Sequence, residues 1–276
     1  MKTLFFYLLW TVILSVGAVN AQNENLLDYF KHLPGDMESE QPSIRSYQMV
    51  TDYYNFDLKR NFLGKKRVTG IITYGLDGDS VQWRDVYNYD SRTLDTEFSH
   101  AQRRDFMQDF KYLPDDKVLT PKFFSDRLPE ADPSIMNIIW DALCFDVLAY
   151  NCWDSLKLNQ EFRAKNMNSE LEIANIGTFE NRDIRITWIG ITEMNNEICA
   201  ILKYLAMNNP LEMKLENMTM SGRSHYWGEI YVSLSNKQIE YANLTEDVLT
   251  DMELKGLTDH IFGYTIRTIE LSKINN

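Results

Sequence analysis

Cysteine is scarce. Cys144, Cys152 and Cys199 are the only three in 276 residues, too few for a disulfide scaffold, and an odd number leaves at least one unpaired. They read as small buried hydrophobes. The four histidines, His32, His100, His225 and His260, stand far apart, and none sits in the H-E-x-x-H or H-x-x-x-H spacing that grips a metal from one helix face. The Gly-x-Ser-x-Gly elbow, the phosphate-cradling glycine loop and the dinucleotide fingerprint are all missing. Asp77 and Asp79 do not make a calcium loop, because glycine follows the first aspartate directly and Ser80-Val81 adds no suitable oxygen ligands. Ser224 and His225 are neighbours, but adjacent strand residues point to opposite faces, so neither can activate the other. Positive charge is also in deficit. A formal charge of -12 disfavours nucleic acid and anionic membrane surfaces as partners. These absences together lead to an expectation of no metal, no cofactor and no enzymatic activity.

What is there begins with an address. Lys2, an apolar run over residues 4–16 and the small residues of Val19-Asn20-Ala21 have the form of an export signal. Residues 1–21 are therefore expected to be a signal peptide, and residues 22–276 a single α+β domain that is periplasmic or extracellular after cleavage. The leading apolar run is too short for a membrane span, and no later apolar stretch lacks charges, so no stable membrane span is expected.

In chain order, residues 25–33 carry Leu26, Leu27, Phe30 and Leu33 at helical spacing before Pro34-Gly35 stops them. Residues 43–58 are mixed in period and lean to helix or irregular structure. Residues 67–74 and 81–87 are rich in branched and aromatic side chains, and Asp77-Gly78 between them is a strong hairpin signal. Residues 95–113 space Phe98, Phe106 and Phe110 like the stripe of an amphipathic helix. Asp132 and Pro133 supply a cap and a first-turn proline for a long hydrophobic helix through residues 135–156. That segment is apolar nearly all round, which marks a helix buried on several sides.

The N-terminal half, about 22–160, is thus expected to be helices and a hairpin, and about 180–276 an antiparallel meander. Strands are expected over residues 184–192, 198–207, 211–220 and 262–274, with turns at Asn195-Asn196 and Asn208-Asn209-Pro210. The clearest stretch is 223–248, two alternating ribbons joined at Ser235-Asn236-Lys237. A curved sheet, an incomplete barrel packed on the long helix, is the expected fold class.

Three functional readings follow. In the first, Trp140 and Leu143 on the helix and Trp188, Leu202, Ile230 and Val232 on strands line a cavity for an apolar small molecule or lipid. In outline this is similar to the incomplete barrels that carry lipid or lipoprotein in the periplasm, a likeness of architecture without a matched motif. In the second, Trp227 and Tyr231 form a wet aromatic face for a protein or glycan. The third is a hydrolase using Glu229 and Glu240 on paired strands as a carboxylate pair, which would need them about 5 to 10 Å apart.

Overall fold

The computed structural model describes residues 29, 31, 33, 44–95, 97–173 and 177–275. The expected signal peptide and most of the expected helix at 25–33 lie outside the described residues. Period-two alternation organises nearly everything else. The strands are β1 (Arg45–Phe56), β2 (Phe62–Leu76), β3 (Ser80–Ser91), β4 (Ser99–Arg103), β5 (Phe110–Tyr112), β6 (Glu161–Arg163) and β7 (Ser169–Ile173), followed by β8 (Gly177–Asn181), β9 (Arg185–Met194), β10 (Glu197–Leu215), β11 (Met218–Ser233), β12 (Ile239–Leu254) and β13 (Ile261–Lys273). Two helices, α1 (Pro121–Arg127) and α2 (Pro133–Tyr150), lie between β5 and β6.

The strands form one sheet in the order β4-β3-β2-β1-β13-β12-β11-β10-β8-β7, which runs from one open edge to another and does not close into a barrel. Its main ladders are antiparallel. β1 pairs with β13 from Tyr47↔Lys273 to Phe56↔Tyr264, so the N-terminal hairpin and the C-terminal meander share one sheet.

Registers line the inward side chains up in rows across strands. Ile269, Leu244, Gly228 and Tyr204 make one row, and Leu271, Ala242, Ile230, Leu202 and Trp188 the next. Gly228 is required by its neighbours: a Cβ there would fall 2.0 Å from the Asn243 carbonyl oxygen. Its absence lets the Tyr204 hydroxyl reach across and donate to that oxygen at 2.6 Å.

The long helix forms where its caps direct. The Asp132 side chain accepts from the backbone N–H groups of Ser134 (2.9 Å) and Ile135 (3.2 Å), and Pro133 occupies the first turn. The same carboxylate holds Arg104 at 3.0 Å and Lys66 at 3.5 Å, which ties the helix start to β2. Ile135, Ile138, Ala142, Phe145 and Ala149 recur at three- and four-residue spacing and are all buried. Among the described residues, Pro133–Ser155 is long and apolar enough to cross a membrane by length and composition, and half of its apolar window is buried inside the fold.

Several expected elements take another form. Residues 43–58 hold the central strand β1, whose inward Tyr47, Met49 and Thr51 are buried; polar Thr51 on that face obscured the alternation. Residues 97–113 are not an α-helix. They give β4, a single 3-10 turn at Asp105–Met107 and β5, with the Arg104 N–H donating to the Val86 carbonyl on β3. Edge pairing to β3 outweighs the helical spacing of the phenylalanines.

Asn208-Asn209-Pro210 does not reverse the chain. Asn208 is left-handed (φ 61°), and the register against β11 shifts there, so β10 continues past a bulge to Leu215. The buried Asn209 side chain holds the bulge, accepting from the Arg182 N–H at 2.9 Å and donating to the Ala206 carbonyl at 3.3 Å. Pro210, which has no N–H, falls where β9 has stopped pairing with β10 and β8 has not begun. The turns at Asp77-Gly78-Asp79 and Asn195-Asn196 do form, with Gly78, Asp79, Asn195 and Asn196 all at positive φ.

Candidate functional site: a half-open apolar groove

Strands β1 and β10–β13 have a sealed portion and an open one. At one end the inward rows are sealed: Met49 and Thr51 on β1, Ile269 and Leu271 on β13, Ala242 and Leu244 on β12, Ile230 and Val232 on β11, and Leu202 and Tyr204 on β10 are all buried. Past the row Arg267–Glu246–Tyr226 the same alternation continues through Val248, Thr250 and Met252 on β12, Gly222 and Met220 on β11, Leu211 and Met213 on β10, and Thr265 and Gly263 on β13. Those residues are only half-buried.

All of these but Gly222 and Met213 line a groove of about 670 Å³ that is open on one side. One wall is the second face of the helix, where Pro133, Asn137, Trp140, Cys144 and Val147 follow one another at four- and three-residue steps. The other wall is β7 and β8, through Leu171, Ile173 and Phe179. The all-round apolarity of α2 matches its two environments: some of its residues belong to the buried core and others line the groove.

At its inner end the groove meets a charged junction. Arg267 on β13 donates through Nε to Glu246 Oε2 at 2.6 Å and through Nη1 to Asp141 Oδ2 at 2.7 Å, joining sheet to helix. Ser224 Oγ donates to Glu246 Oε1 at 2.5 Å, and Asn137 Nδ2 donates to the Tyr53 hydroxyl at 3.3 Å. Burial pushes Asp141 up to about 6, against the opposing pull of Arg267 and with the nearby Glu246 charge adding to the rise. Burial likewise lifts the Cys144 thiol to about 12, which keeps it protonated and unreactive as a nucleophile. All three cysteines are free. Among the described residues no group of three or more histidines, cysteines or carboxylates is placed to hold a metal.

Of the residues expected to line a cavity, Trp140 and Leu143 line the groove. The indole of Trp140 is fixed by donation to the Val118 carbonyl at 3.0 Å and an edge-on contact with Phe124. Trp188, Leu202, Ile230 and Val232 do not line it. Each is fully buried within the hydrophobic core.

On the outer face Trp227 is 38% exposed. Tyr231 is half-buried against Tyr241 and donates to Glu229 at 2.9 Å. The carboxylate pair is not assembled: Glu229 faces outward on β11, whereas Glu240 is sealed inside and neutralised by Lys273.

The floor residues Leu211, Met220, Thr250, Met252 and Gly263 escaped the sequence reading. The signal was there, because the ribbons at 223–248 keep their alternation when extended outward in both directions; it passes through glycine, threonine and methionine, which carry little pattern weight.

Fold and site together define an open, mostly antiparallel sheet with one long helix, and an apolar groove lined by residues of both. No family model matches the chain, and no curated protein matches it. Among solved structures it is similar to one titled "Lipid-protein interactions in lipovitellin", at 12% identity and a TM-score of 0.40, over 86% of this chain and 26% of that one. The chain thus spans about a quarter of the lipovitellin chain. At that score the likeness carries no argument about what this protein binds.

Proposed function

We propose that the protein is exported, performs no catalysis, and holds an apolar chain, such as the acyl chain of a lipid or lipoprotein, in the groove between α2 and the outer halves of β10–β13. The observation that carries the reading is the groove itself. Its volume of about 670 Å³ lies in the range of small-molecule sites, about 300–1,000 Å³. Its lining is mostly aliphatic, methionine and aromatic side chains, and its charged groups, Asp141, Glu246 and Arg267, are gathered at one junction. Methionine at Met220 and Met252 suits a surface that must adapt to a flexible chain.

Native mass spectrometry of the full chain, purified without detergent, is expected to show a co-purified lipid-sized adduct. Val248→Trp, which fills the middle of the floor, is expected to lose the adduct while keeping the thermal midpoint. An adduct carried equally by wild type and variant would place the ligand elsewhere.

The exposure of Trp227 supports a second reading, a protein or glycan held on the outer face at Trp227 and Tyr231. A Trp227→Ala variant would distinguish the two: it should retain the adduct on the groove reading and lose a partner only on the second.

A further inference from the structure

The charged end of the groove constrains what the head of its ligand can be. Among the residues lining the groove, the charged ones are Asp141, Glu246 and Arg267, two carboxylates against one guanidinium. Arg267 has already committed Nε to Glu246 and Nη1 to Asp141. An arriving carboxylate or phosphate would have to share that guanidinium with two resident anions in a water-poor pocket, where like charges repel strongly.

Asp141, by contrast, has spare capacity. Its Oδ2 receives Arg267, while its Oδ1 accepts no hydrogen bond among the described residues. Asp141 is 7% exposed, yet Oδ1 is not sealed off: among the described residues the one fully buried side-chain nitrogen or oxygen without a partner is Thr51 Oγ1. An open acceptor on a buried carboxylate, at the charged end of an apolar groove, is suited to a donor.

Building on the groove reading, we infer that the ligand is an amphiphile whose head donates hydrogen bonds to Asp141, with a protonated amine the best fit, and that fatty-acid and phosphate heads are turned away. The alkyl chain then runs outward from the junction over Val248, Thr250 and Met252 toward the strand tips. The head sits against α2, and Glu246, held by Ser224 and Arg267, supplies the second negative charge that an ammonium group would offset.

The test is competition against a neutral naphthylamine fluorophore at about pH 8, where both Asp141 and a carboxylic acid competitor carry charge. Dodecylammonium, dodecanol and dodecanoate share one chain and differ only in the head. Dodecylammonium is expected to displace the fluorophore at roughly tenfold or more lower concentration than dodecanoate, with dodecanol between them. Asp141→Asn is expected to bring the two charged competitors to within about threefold of each other; if that variant does not fold, the wild-type ranking still decides.

Dodecanoate competing as well as or better than dodecylammonium would overturn the inference and leave the groove reading intact. Failure of all three to compete, with the fluorophore itself unbound, would overturn the groove reading and this inference with it.

Discussion

One set of strands has two ends with different interiors. On one side of the Arg267 junction the inward residues of β10–β13 are Leu202, Ile230, Ala242, Leu244, Ile269 and Leu271, all buried. Beyond the Arg267 junction they are Leu211, Met220, Thr250, Met252, Thr265 and Gly263, all half-buried. Alternation is identical in both halves, so periodicity alone does not say which half is covered. Burial does: the first half is sealed, while the second, where Met220, Thr250, Met252 and Gly263 stand beside Leu211 and Val248, stays open.

The sharpest way to break this comparison is at its boundary. Arg267→Ala would leave Asp141 and Glu246 facing one another without their shared cation, and is expected to cost about 3–5 kcal/mol, read by urea denaturation. A loss below about 1 kcal/mol would mean that the junction is wet and the two halves are not separated there.

Next come matched truncations. Ile230→Ala, in the sealed half, is expected to cost about 2–5 kcal/mol. Met252→Ala, in the open half, is expected to cost less than about 1 kcal/mol while weakening retention of an apolar probe. Equal costs would show that both halves are packed alike.

A smaller effect should appear with pH. Burial raises both Asp141 and Asp146 from the ordinary 3.8 to about 6, with Arg267 and Arg45 respectively opposing it. The folded state therefore binds protons more tightly than the unfolded state between those values, so this contribution to stability grows as pH falls through about 6 and is lost as pH rises through it. Calorimetry is expected to find the midpoint a few degrees higher near pH 5 than near pH 8. A midpoint that falls instead would place these carboxylates in water. The smallest shift is expected for Val248→Trp, which should change the midpoint by no more than a degree or two and act on ligand retention alone.

The sequence made the covered half more legible than the open one. Asp132-Pro133 marked the start of the helix, Asp77-Gly78 and Asn195-Asn196 marked turns that form, and the ribbons at 223–248 were read on the correct faces. β1 was missed because Thr51 sits buried in an otherwise apolar row, and β4 and β5 because edge pairing to β3 is a tertiary effect that local spacing does not carry. Asn208-Asn209-Pro210 has the chemistry of a turn, and only the strands on either side decide that it bulges instead. Trp140 and Leu143, singled out because the helix is apolar nearly all round, are among the groove's lining residues. Trp188, Leu202, Ile230 and Val232 were assigned to a cavity because sequence cannot tell an aliphatic residue that packs from one that lines.

The pairing of β1 with β13 has a consequence for how the chain is put together. Tyr47 and Lys273 meet across the middle of the sheet, so its central seam joins segments more than two hundred positions apart along the chain. Hairpins on either side can zip locally, but the seam must wait until residues 261–273 have been synthesised, and long-range closures of this kind are slow. Until then two bare strand edges face solvent, the condition in which sheet proteins pair with the wrong neighbour. The step that completes the curved surface is therefore also the one at which the protein is most exposed to aggregation.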